Sequence, residues 1–164
     1  MDRIDLLIPI GFVLIFVSII VLISYAQLRQ KRYILNKLSN YQLEKVKIRF
    51  LQSSVGKGSN VGGMPVKAEM YIADHFFFIT PGTNGYFNGM YNINLPVIFV
   101  KDENQKNELG LNNIIVPDKL YITAWNSVVI KYQKALTGNI KYSIQINLPD
   151  KNDIEKLNKL KNWC

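Results

Sequence analysis

The first long pattern along the chain is an unbroken apolar run. From Leu6 to Tyr25 the residues LLIPIGFVLIFVSIIVLISY include no charged side chain. At about 1.5 Å per residue such a helix reaches roughly 30 Å, the thickness of a bilayer's hydrocarbon core, and so predicts one membrane span. Pro9 and Gly11 fall in its first turns, where a missing N–H costs little because early amides lack an intrahelical partner. Residues 27–41 then turn polar and basic, with apolar Leu28, Tyr33, Ile34, Leu35 and Leu38. This predicts a juxtamembrane continuation of the helix, lying at or near the headgroups.

Past residue 41 the period shortens to two. In EKVKIRF, Val46, Ile48 and Phe50 alternate with Lys45, Lys47 and Arg49, and in VKAEMYIA, Val66, Ala68, Met70 and Ile72 alternate with Lys67, Glu69 and Tyr71. Alternation of this kind marks a half-buried strand. FFFIT, LPVIFVK, KLYITA, SVVIKYQ and KYSIQINL complete a set of seven expected strands, with DENQKNELG as a polar interruption and Ile114–Val116 as a weak apolar piece. PDKNDIEKLNKLKNWC closes the chain with helix-start residues Asp150, Asn152 and Asp153, and Glu155 stands three after Asn152 as in a capping box. Ile154, Leu157, Leu160 and Trp163 recur every three residues. That stripe predicts an amphipathic helix buried against the open end or edge of a small antiparallel barrel.

Charge adds an orientation. The net +8 of the 164 residues divides into −1 over residues 1–26, +6 over 27–49 and +3 over 50–164. Arg29, Lys31, Arg32 and Lys37 follow the span, whereas Asp2, Arg3 and Asp5 precede it. The positive-inside rule then places the N-terminus outside and the C-terminal domain in the cytoplasm. A basic flank suits anionic headgroups at about 1 kcal/mol per Lys or Arg. No recognition-helix pattern or stacked-aromatic motif points to nucleic acid. The single cysteine, Cys164, excludes an intrachain disulfide and fits a reducing compartment.

The order of elements carries a resemblance. Seven short strands ending in SVVIKYQKALTGNIKYSIQINL, followed directly by a capped amphipathic helix with a late Trp, resemble the pleckstrin-homology-like superfold, particularly its bacterial and GRAM-like branches. The resemblance covers about residues 42–164 and implies a non-catalytic binding or adaptor module that recognises lipids or proteins. It is an analogy of fold. Phosphoinositide-binding members of that family place basic residues on the first two strands and their loop. Arg49, Lys57 and Lys67 occupy comparable places, and the dense basic pattern of true binders is missing.

Two loops invite a site. PGTNGYFNGMYN carries Asn84-Gly85 and Asn88-Gly89, dipeptides that supply positive φ. Its Tyr86, Phe87 and Tyr91 either cover the sheet or offer an aromatic recognition surface to a protein or the bilayer. SSVGKGSNVGG is not a phosphate loop, because Gly58 separates Lys57 from Ser59. Metal chemistry needs clustered His, Cys or carboxylates, and the chain has one His. His75 with Asp74 lacks a nucleophile elbow, and Glu69, Asp102, Glu103 and Glu108 read as dispersed, solvated carboxylates.

The N-terminus also raises two other readings. A secretory signal needs a basic n-region and a shorter apolar run, and MDRID is net acidic. GFVLIF at Gly11 looks like the processing site of type IV pilins and pseudopilins, but Phe16 stands where that family's Glu belongs and no basic residues precede the Gly. The resulting expectation is a span within residues 1–26, a basic juxtamembrane helix over 27–41, and a seven-stranded antiparallel PH-like barrel with its C-terminal helix over 42–164. It would act without catalysis or cofactor as an adaptor at the inner face of a bacterial membrane. Its partners would be membrane lipids through the anchor and a protein or anionic lipid headgroup through the domain. The alternatives are a pilin-like envelope component with an exported C-terminal domain, or an enzyme of unfamiliar site.

Overall fold

In the computed structural model a single helix, α1, runs Arg3–Lys37 over 35 residues. The structure describes residues 3–56, 59–62, 66–81, 96–111, 113–123, 127–133, 141–148, 151–153, 155–161 and 163. Because α1 begins at Arg3, Pro9 lies inside the helix, and the carbonyl of Asp5 loses one intrahelical donor. Ser18 settles its hydroxyl within the apolar run by donating to the Leu14 carbonyl at 2.8 Å. From Pro9 the helix is long and apolar enough to cross a membrane. No helix break separates the apolar run from the basic flank, and the chain leaves the helix through a turn at Leu38–Tyr41.

The strands that follow are β1 Glu44–Gly56, β2 Ser59–Gly62, β3 Val66–Ile72, β4 Phe76–Pro81 and β5 Val97–Val100. Helix α2 spans Glu103–Leu109, and β6 Ile114–Ile115, β7 Lys119–Ile122, β8 Ser127–Gln133 and β9 Lys141–Asn147 complete the sheet. The pairing order is β6-β5-β4-β3-β1-β9-β8-β7, with β2 paired to β1 outside that path. All pairs are antiparallel except β5 with β6.

This corrects the expected seven-stranded antiparallel barrel. The sheet is mixed and open, and among the described residues β2 and β6 join the seven expected strands. The parallel β5–β6 pair has a physical consequence, because parallel neighbours need a crossover and cannot be joined by a tight turn. The stretch DENQKNELG supplies it as α2. Asp102 caps α2 by accepting from the Gln105 amide at 3.0 Å, and Gly110 ends it at φ 53°, a left-handed conformation that favours glycine. Asp102→Ala is expected to cost about 1 kcal/mol, measurable as a shift in urea midpoint of the full chain in detergent.

The sheet curls over its main core. Phe99 of β5 meets Tyr132 of β8 at 5.7 Å between ring centroids although four strands separate β5 from β8 in the pairing order. Only residues 116–118 link the two end strands, β6 and β7. Val46, Ile48, Met70, Phe77, Ile130 and Ile144 are among the side chains enclosed.

The C-terminal segment is also a correction. In place of one amphipathic helix there are 3-10 turns at Lys151–Asp153 and Glu155–Leu157, and a short α3, Asn158–Lys161. A strict three-residue spacing eclipses on a 3-10 helix but drifts about 60° per repeat on an α-helix. Leu157 and Leu160 still reach the core, and Trp163 packs on Phe77 at 5.2 Å. Lys159 pins the segment through Glu44 at 2.8 Å and Asp74 at 3.4 Å.

Candidate functional site

The central strands bury both faces, and the second face is where α1 meets the sheet. On β3, Ala68, Met70 and Ile72 point into the main core, which leaves Lys67, Glu69 and Tyr71 on the opposite side. Phe76 and Phe78 of β4 and Ile98 and Val100 of β5 share that side. Ile34 from α1, Leu38 from the turn after it and Leu109 from α2 cover it in a second apolar cluster. The unalternating runs FFFI and VIFV are the residue pattern of strands buried on both faces.

A polar lock lies within this contact. Lys31 of α1 donates to Glu69 Oε2 at 2.5 Å, and the Tyr71 hydroxyl donates to the same oxygen at 3.0 Å. Lys45 pairs with Oε1 at 2.9 Å. The side chains of Lys31 and Glu69 are only 9% and 5% exposed, whereas Lys45 is half exposed. Tyr71 stacks on Phe78 at 4.7 Å, and the Lys31 and Lys45 ammonium groups stand 5.8 and 5.9 Å from its ring centroid.

Burial pushes the Glu69 carboxyl up, but the hydrogen bonds from Lys31, Lys45 and Tyr71 outweigh it and hold the group down at about 2. Burial, reinforced by the Glu69 carboxylate, pushes the Tyr71 hydroxyl up. Glu69 therefore carries its charge at neutral pH and Tyr71 keeps its proton. The arrangement holds one helix on one strand.

The expected site residues separate into groups. Arg29, Arg32 and Lys37 are exposed on α1, while Lys31 turns inward. Lys37 donates to the Gly110 carbonyl at 2.7 Å and so ties α1 to the end of α2. Leu6 and Tyr25, the expected span ends, both lie in α1, with Tyr25 exposed. Arg49 and Lys67 are cross-strand partners and both exposed. Lys57, Tyr86, Phe87 and Tyr91 lie outside the described residues.

Glu69, expected among solvated carboxylates, is instead buried and doubly paired. Sequence reasoning missed it because alternation alone assigns one strand face to water. The signal was Tyr71 beside it, on a strand flanked by FFFI. His75 and Asp74 form the β3–β4 turn and are exposed. His75 lines a cleft of about 250 Å³ with Tyr41, Phe76, Gln105, Glu108 and Leu109. Among the described residues no group of three His, Cys, Asp or Glu side chains is placed to hold a metal. No protein-family model, curated protein or solved structure matches the chain.

Proposed function

We propose that the protein is a membrane-anchored, non-catalytic adaptor that holds its β-domain at the cytoplasmic face of a bacterial membrane. The observation that carries this reading is the continuity of α1. Its residues Ile10–Leu22 expose large side chains such as Phe12, Leu14, Phe16 and Leu22 at 54–71%, an apolar surface far beyond what a water-soluble monomer leaves bare. The same helix, unbroken, is clamped to the sheet through Lys31 and Ile34, with Leu38 just past its end.

The domain is thus held to its anchor by packing and not by a flexible tether. Such a connection raises local concentration at the membrane and also sets which end of the domain faces it. The excess of Arg and Lys after the span supports a cytoplasmic domain.

Protease accessibility of a C-terminal tag in spheroplasts tests the topology. Protection that is lost only on permeabilisation is the expected result. Digestion in intact spheroplasts would reverse the orientation and make the domain an envelope component.

A further inference from the structure

Ile20 lies inside the apolar run of α1 and yet is only 7% exposed. Phe12, Leu14, Phe16 and Ile19 on the same helix stand 47–71% bare, which is all the cover that α1 gives its own side chains. Ile20 therefore has a second segment of the chain against it. Gln27, Lys31, Ile34 and, just past the helix end, Leu38 are buried too and succeed Ile20 at seven, four, three and four residues, the spacing of one helix face. Over the same turns the rest of the helix surface stays apolar and bare at Val21, Leu22, Tyr25 and Leu28. The first charge after the run is Arg29. Across residues 20–28, about 12 Å of helix, α1 thus has chain on one side and an uncovered apolar surface on the other.

A span through a bilayer needs those turns. Ahead of Ile20 the uncharged residues 6–19 reach about 21 Å, against roughly 30 Å of hydrocarbon core. Residues 20–25 supply the remaining length, about 9 Å. The face of α1 that the domain covers therefore begins within the stretch needed to cross.

Three contacts show which end of the sheet lies there. Lys31 meets Glu69 in the middle of β3, Lys37 reaches the Gly110 carbonyl beyond α2, and Tyr41 packs edge-on against Phe76, past the turn after β3. Helix and β3 run the same way, so antiparallel β1 runs back toward the apolar run. β1 parts from β3 after Phe50 and continues to Gly56, paired with β2 and β9. Gln52 is about 17 Å along β1 from Lys47, the register partner of Glu69. Ile20 is about 17 Å back along α1 from Lys31, so the end made by β1 and β2 reaches its level.

The composition of that end suits an apolar neighbour. Residues 51–66 hold one charged side chain, Lys57, and no carboxylate. The opposite end carries Glu44, Asp74 and Lys159 in ion pairs. Ser53, Ser54 and Val55 are paired on both sides, by β2 and by β9, so the backbone of β1 is already satisfied where it would leave water.

We infer that the β1–β2 end of the sheet is seated in the membrane beside α1, among the outer parts of the acyl chains of the leaflet on the domain's side. This rests on the reading of α1 as a span. The overlap of about 9 Å matches the depth, about 5–10 Å, to which amphipathic segments settle at the boundary of headgroups and acyl chains.

The test uses the full, unaltered chain in phosphatidylcholine vesicles that include a phosphatidylcholine with a photoactivatable diazirine in the upper part of one acyl chain. Adducts formed on irradiation are placed by peptide mass spectrometry. Adducts on α1 between Leu14 and Leu22 report the span alone, and a helix without them ends both readings. Where the helix is labelled, adducts are expected within residues 51–66 and absent from the turn at Asp74 and His75. A domain without adducts, or one labelled only outside residues 51–66, would overturn the seat and leave the span standing.

Discussion

Replacing Glu69 with Ala is expected to destabilise the protein by about 3–5 kcal/mol, the usual cost of removing one partner from a buried ion pair. The loss comes chiefly from what remains. Lys31, 9% exposed, would keep a positive charge against Tyr71 and the apolar cluster with no carboxylate to meet it. Lys31→Ala is expected to cost less, because the half-exposed Lys45 would still pair with Glu69. Changing both residues together, Lys31→Met with Glu69→Leu, should recover most of the stability, since a buried pair barely exceeds its own desolvation cost. Urea unfolding of the full chain in detergent would rank the variants. A fully stable Glu69→Ala protein would mean that α1 is not docked through this pair.

The same carboxylate makes stability depend on pH. Its folded value, about 2, lies below the ordinary 4.5, so the unfolded chain takes up the proton first as pH falls. The contribution is complete above about pH 4.5 and is lost progressively down to about pH 2, amounting to about 3 kcal/mol. Glu69→Gln should flatten the stability profile in that window while leaving the profile above it parallel to that of the parent.

Phe77→Ala is the second large effect, at about 3–5 kcal/mol. Phe77 is fully buried, stacks on Phe99 at 5.0 Å and receives Trp163 at 5.2 Å. Its removal opens a cavity between β4, β5 and the C-terminal segment. Tryptophan fluorescence during urea unfolding would report both the lower midpoint and any early release of the segment around Trp163. A loss below about 1 kcal/mol would show that the site collapses and refills.

These two positions also mark how far the residues alone could be read. Phe77 stands in FFFIT, and a dense aromatic strand predicts burial without any knowledge of topology. Glu69 looks, by alternation, like a solvated residue. Its burial depends on a helix 38 positions earlier in the chain, and no local pattern encodes that distance. The C-terminal stripe lies between these cases. Leu157, Leu160 and Trp163 do enter or pack on the core, but their spacing was that of a 3-10 turn and not of an α-helix. DENQKNELG was legible as a capped helix through Asp102 and Gly110; its polar surface hid it.

Local chemistry thus determined the span-length apolar helix, the basic flank and most of the strands, because these follow from side-chain periodicity over a few residues. Only the tertiary structure decided that the sheet is open and mixed and that Lys31 leaves the basic flank to meet Glu69. Those are matters of which face meets which. They depend on contacts between segments far apart in the chain, whose free energy appears only when the intervening chain has paid its closure entropy and packed.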